Sequence, residues 1–125
     1  MKIKIILGKN EILAQLNDSE TAKKIYDALP IVANANTWGE EIYFEIPVKM
    51  QEEQAYSRQN MKIGELAYWP QGNAFCIFFG RTPVSINSEP RAISNVNVTG
   101  ALLSKKDAET FKSVNDGDKI RVDKA

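Results

Sequence analysis

The sequence predicts a mainly β protein. Its short strands wrap into a closed or nearly closed antiparallel barrel, accompanied by two short helices. Three observations carry this reading. The chain has 125 residues, the size of one domain with a single substantial core. Segments that alternate apolar and polar residues recur along it, separated by turn residues. The stretch Gly64–Pro83, GELAYWPQGNAFCIFFGRTP, holds two apolar runs joined by Pro70-Gln71-Gly72-Asn73, the pattern of a core hairpin.

The elements follow in order. Lys2–Leu7 alternates charged and apolar residues and predicts a strand. Gly8-Lys9-Asn10 turns the chain, and Glu11–Leu16 returns as its hairpin partner. Asn17-Asp18-Ser19 offers helix N-cap chemistry, and Glu20 adds a negative charge where the helix dipole favours it. Ala22, Ile25, Tyr26 and Leu29 recur at helical spacing until Pro30 stops the helix. Asn34–Gly39 reads as a loop. Glu41–Val48 reads as a strand with Ile42, Phe44 and Ile46 on one face, Pro47 marking its end or a bulge. Lys49–Lys62 is polar and poorly patterned. It predicts a long surface excursion with an irregular strand near Met61.

The core hairpin follows, formed by Ile63–Trp69 and Ala74–Phe79. Thr82–Ser94, with Pro83 and Pro90, predicts a second long loop. Val96, Val98 and Leu102 continue a strand. Ser104-Lys105-Lys106-Asp107 has the form of a capping box, with Asp in place of Glu, and opens a short helix to Lys112. Asn115–Asp118 is a turn and Lys119–Val122 a last alternating strand. No repeat or linker divides the chain, so residues 1–125 read as one domain.

Composition excludes several functions. The 16 basic and 16 acidic residues cancel, which leaves no positive field for nucleic acid. No apolar run approaches the ~20 residues of a membrane helix. Met1-Lys2 leads into an alternating strand rather than a secretory leader, and the single Cys76 can form no internal disulfide. A cytoplasmic location is expected on these grounds. The chain contains no histidine. This removes Ser/His and Cys/His nucleophile couples and the His-based zinc and iron sites. A carboxylate-only Mg or Ca site stays open, but no EF-hand spacing occurs. We expect no metal and no cofactor.

The run Ala74–Phe79 has no polar alternation. An antiparallel strand normally keeps one wet face. Here one face can fill the barrel while the other lies under a helix or loop. Cys76 is expected to be an inert buried filler. Trp69 stands before Pro70 at a strand exit, and Trp38 lies in a loop between Thr37 and Gly39. Indoles seldom bury fully, because the ring is large and its N–H seeks a partner. Two such edges suggest an aromatic-lined depression. Its candidate ligand-binding residues are Trp38, Tyr43, Tyr68, Trp69 and Phe75, with packing as the competing reading of each. Glu40, Glu41 and Glu45 could serve a carboxylate-based enzyme, although solvated surface charge is the preferred reading.

The segment Gly64-x-Leu66, a turn with Gly72, then Ala74-Phe75-Cys76-Ile77-Phe78 and Thr82-Pro83, resembles the central segment of cyclophilins. The context Asn36-Thr37-Trp38-Gly39-Glu40-Glu41-Ile42-Tyr43-Phe44 is similar to the short cyclophilin-like proteins of bacteria and archaea. With that group the resemblance spans nearly the whole chain. It implies a closed eight-stranded antiparallel barrel with a helix over each end. It also implies an outer apolar groove for a proline-containing peptide and an arginine that assists rotation of the prolyl bond. Arg58 and Arg81 are the candidates for that catalytic role. The reaction needs no general base, only a dry pocket and a donor aimed at the twisted amide.

Departures from cyclophilins are specific. Their Phe-His-Arg strand is missing. Gly72-Asn73-Ala74-Phe75-Cys76 stands where they carry Gly-Ser-Gln-Phe-Phe, so Ala74 replaces a groove glutamine and Cys76 a groove phenylalanine. The preferred expectation is therefore a protein that binds a small molecule or a proline-containing peptide. A divergent, weak peptidyl-prolyl isomerase is the alternative. A homo-oligomer whose apolar patch is a subunit interface is a further reading.

Overall fold

Local alternation decides the first hairpin. In the computed structural model, which describes residues 1–125, β1 (Lys2–Leu7) buries Ile3, Ile5 and Leu7. β2 (Asn10–Leu16) buries Ile12, Ala14 and Leu16 opposite them. A period of two places these six side chains on one face. Gly8 makes the turn at φ +62°, a conformation that costs glycine little.

Helix α1 (Glu20–Asp27) starts as its cap residues predict. Ser19 Oγ accepts from Ala22 N at 3.0 Å, and Asn17 Oδ1 accepts from Ser19 N at 3.0 Å. Ala22 and Ile25 are its buried face. The chain then runs through β3 (Ile31–Asn34), β4 (Asn36–Thr37) and β5 (Glu41–Glu45). Half of the expected loop at Asn34–Gly39, namely Asn34, Asn36 and Thr37, is thus part of the sheet. The Lys49–Lys62 excursion contains a 3₁₀ turn at Gln54–Tyr56 and β6 (Ser57–Asn60). β7 (Glu65–Trp69) and β8 (Ala74–Phe78) form the expected core hairpin. β9 (Arg91–Leu102) begins inside the second expected loop. A 3₁₀ helix at Lys105–Ser113 and β10 (Lys119–Lys124) end the chain. No helix is long and apolar enough to cross a membrane.

The strand order is β3-β10-β1-β2-β9-β7-β8-β5-β4, with β6 joined to β9. Every pairing is antiparallel. This corrects the closed eight-stranded barrel: nine of the ten strands form a path, β6 branches from β9, and no ladder joins the two end strands. The end strands β3 and β4 are consecutive, with only Ala35 between them. β3 pairs with β10 and β4 with β5, so residues 31–37 divide their hydrogen bonds between two neighbours instead of completing a ring.

β9 explains how the outer side of the sheet is covered. Its later residues pair with β2 and β7, and its register on β7 slips by one at Thr99. Its earlier residues run past β7 and pair with β6. A bulge of this kind bends a strand and raises its twist. Alternate residues of the central strands consequently enter two separate cores. Leu66, Tyr68, Phe75 and Ile77 join the main core. Ala67, Cys76 and Phe78 meet Met61, Ala92 and Val96 in a smaller one. β8 is therefore buried on both faces, as its unbroken apolar run implies.

The excursion before β6 is pinned to α1 by a polar network. Glu53 carboxylate oxygens accept from Glu20 N at 3.0 Å, Thr21 N at 3.1 Å and Thr21 Oγ1 at 2.6 Å. Asn97, fully buried, accepts from Glu53 N at 2.8 Å and donates to Gln51 O at 2.9 Å. Burial alone would raise the Glu53 pKa, but these bonds and Lys23 bring it below its usual value. A depressed folded pKa adds stability above the unfolded value and loses it as pH falls. Glu53→Gln should cost about 1 kcal/mol at pH 7. Denaturation of both proteins from pH 7 to pH 3 should show that difference shrinking below about pH 4.5. A difference that is constant with pH would rule out the carboxylate as the anchor.

Candidate functional site

A pocket of about 180 Å³ opens over the smaller core, lined by Trp38, Glu41, Tyr43, Trp69 and the β9 residues Ala92, Ile93 and Val96. Three separate parts of the chain build it. The turn between β4 and β5 sets Trp38 at the rim. Trp38 N donates to Glu41 O at 3.0 Å, and Glu41 N donates to Trp38 O at 3.2 Å. Gly39 turns the chain here at φ +59°, and a Cβ would lie 2.9 Å from Arg81 O and Thr82 Cα. Only glycine fits that approach.

Trp69 enters from the end of β7. Its Nε1 donates to Ser94 Oγ at 2.9 Å, which satisfies the indole N–H from the covering strand. A Cβ on Gly72 would lie 2.5 Å from Trp69 Cε3 and Cζ3. The glycine of the Pro-x-Gly-Asn turn therefore leaves the space that the indole occupies. Tyr43 lies on the outward face of β5, directly opposite Cys76 on β8. Glu41 is two residues along the same face, within diagonal reach of Cys76.

Glu41 departs most from expectation. Its side of β5 reads as solvated charge, yet the residue is only 7 % exposed. Burial pushes its carboxyl up from 4.5 to about 7, and the neighbouring Cys76 thiol offsets part of that rise. Burial, and then the nearby Glu41, also raises the Cys76 thiol well above its usual range. The thiol sulfur also lies 3.8 Å from Ala74 O. It is buried, as its inert role requires.

The five aromatic candidates divide by face. Trp38, Tyr43 and Trp69 share the pocket. Tyr68 and Phe75 alternate with Trp69 and Cys76 and so point into the main core, at 0 % and 1 % exposure. The Tyr68 hydroxyl donates to Val48 O at 2.6 Å and lies 3.0 Å from Asn73 Oδ1. The Phe75 ring stacks on Phe44 at 5.4 Å.

Neither arginine lines the pocket. Arg58, on β6, grips both carboxylate oxygens of Glu65 at 2.8 and 2.7 Å, and Glu65 also accepts from Lys62 N at 2.7 Å. Arg81 is exposed in another polar depression beside Glu40 and Lys105, with Nη2 3.5 Å from Ser85 O. Sequence reasoning missed Ser94 and the β9 lining, and it named Glu41 but preferred solvated surface charge for it. A signal for Glu41 did exist. A strand apolar on both faces, as β8 is, requires cover over its neighbours' outward faces too.

Fold and pocket together define the class: an antiparallel β domain that holds an aromatic pocket outside its main core. The profile of the cyclophilin-like family matches residues 1–123, and the chain belongs to that family. It is similar to a hypothetical protein from Archaeoglobus fulgidus whose structure was solved in solution. The two share 37 % identity with a TM-score of 0.80, over 100 % of this chain and 95 % of that one. No curated protein matches the sequence.

Proposed function

We propose that this cyclophilin-like protein binds a small ligand in the pocket of Trp38, Tyr43 and Trp69. The observation that carries this reading is the convergence of three aromatic side chains, distant in sequence, on one volume of about 180 Å³. Sites for drug-sized ligands occupy ~300–1,000 Å³. This pocket suits a smaller molecule, or the head group of a larger one, better than an extended peptide. The Ser94 bond and the space left by Gly72 hold Trp69 in place before any ligand arrives, which lowers the ordering cost of binding.

The arginines favour binding over isomerisation. Arg58 spends its paired donors on Glu65, and Arg81 lies outside the pocket. An isomerase would need one of them aimed at the twisted amide in a dry site. The chain has two tryptophans, and both line this pocket, so indole fluorescence and indole N–H resonances report on it directly. A screen of small compounds should yield ligands that perturb both indoles and lose affinity in Trp38→Leu. Isomerisation of a proline peptide should stay at the uncatalysed rate. Turnover that disappears in Arg58→Ala or Arg81→Ala would replace this reading with the isomerase.

A further inference from the structure

We infer that the ligand is a small organic cation, an alkylammonium group held among Trp38, Tyr43 and Trp69 with the Glu41 carboxylate as its counter-charge. The inference rests on the binding reading above and adds the chemical class. It starts from a missing partner. Glu41 is 7 % exposed and belongs to no ion pair. Apart from the Cys76 thiol, no side chain or backbone donor reaches its carboxyl. Thr99 Oγ1 is the only fully enclosed side-chain polar atom without a partner. The carboxyl oxygens of Glu41 therefore keep an opening, and the pocket that Glu41 lines is that opening.

The other walls fit the same cation. Indole and phenol rings present negative faces, and an alkylammonium among several such rings is attracted by all of them. None of the three rings has a cation over it; the one such contact in the protein is Lys124 over Tyr26. A metal ion fits poorly. Calcium and magnesium need six or more oxygens, whereas the pocket offers one carboxylate, and no cluster of metal-ligating side chains occurs in the chain. A hydrated ion would also gain little from Ala92, Ile93 and Val96. An alkylated nitrogen, apolar outside and charged within, matches both kinds of lining.

Proton linkage supplies an independent signature. The titratable groups facing Glu41 are Tyr43 on its own strand and Cys76 on β8; β7 contributes Trp69, and β9 lines the pocket with Ala92, Ile93 and Val96 and holds Trp69 through Ser94, none of them titratable. A cation binds the ionised carboxyl, so binding releases a proton. With the Glu41 carboxyl titrating at about 7, affinity should rise by about tenfold between pH 6 and pH 8. A neutral acceptor bound to the protonated carboxyl would show the opposite slope.

The test titrates the full chain with tetramethylammonium, choline and 3,3-dimethylbutan-1-ol, the neutral isostere of choline. Indole resonances and calorimetry at pH 6, 7 and 8 provide the readout. We expect both ammonium ions to perturb Trp38 and Trp69, with affinity rising with pH. The neutral isostere should bind at least about tenfold more weakly. Glu41→Gln should lose a similar factor together with the pH dependence, and Trp69→Leu should weaken binding while keeping that dependence. Equal binding of the isostere, an unaffected Glu41→Gln or an affinity that falls with pH would each overturn the cation inference and leave the pocket reading standing. If neither ammonium ion perturbs the indoles, the inference falls. A panel of neutral apolar fragments then decides the pocket reading, which survives if they perturb both indoles and falls with the inference if they do not.

Discussion

Phe75→Ala is expected to lower the unfolding free energy by about 3–5 kcal/mol, a large share of the ~5–15 kcal/mol that a domain of this kind possesses. The ring is 1 % exposed and stacks on Phe44, with 22° between the planes. Its removal leaves a void between β5 and β8 that the sheet cannot close, because the ladder fixes both backbones. Phe75→Leu conserves most of the volume and should cost much less. Urea denaturation of the three proteins measures this directly. Ligand binding distinguishes the two roles considered for this residue. At a denaturant-free temperature where Phe75→Leu is folded, any ligand of the aromatic pocket should keep its affinity. Lost affinity with unchanged stability would return Phe75 to the binding site.

Glu41→Gln is expected to act in the opposite direction and to depend on pH. The folded carboxyl titrates at about 7, against 4.5 unperturbed. Between those values the native protein binds more protons than the unfolded chain, so unfolding free energy falls as pH rises. The loss across that window is on the order of 3 kcal/mol. It is complete above pH 7 and absent below pH 4.5. Glutamine stays neutral throughout and carries no such slope. The variant should therefore resemble the parent near pH 4.5 and exceed it by roughly 3 kcal/mol at pH 8. Denaturation curves at both pH values test this, and parallel pH profiles for the two proteins would show that Glu41 is solvated after all.

The two largest effects fall on residues one strand apart, and the sequence treats them very differently. Phe75 as core material follows from composition, because a run of Ala, Phe, Cys and Ile is mostly buried, although its place beside the turn also makes it a pocket candidate. The first hairpin, α1 and β10 are equally legible, because their alternation or helical spacing states the buried face within a few residues. The tryptophans also announce themselves as large rings at strand ends. Residues 31–37 do not. Val32 is 54 % exposed, and these residues become strand only because β10 and β5, from distant parts of the chain, supply hydrogen-bond partners.

What the sequence determined by itself was the set of strands with strong local pattern, the hairpin that β7 and β8 form, and the aromatic material for a pocket. Tertiary structure alone decided which aromatic rings share that pocket and what else lines it. Side-chain direction on a strand has a period of two, so Trp69 and Tyr68, or Cys76 and Phe75, part to opposite faces. Whether the outward face meets water depends on cover that arrives from elsewhere. Here the slip at Thr99 carries residues 91–96 across β5, β7 and β8, about fifty positions from Glu41 in sequence. That cover turns a face that reads as solvated charge into the floor of an aromatic pocket, because an exposed carboxylate and a buried one differ only in what lies above them.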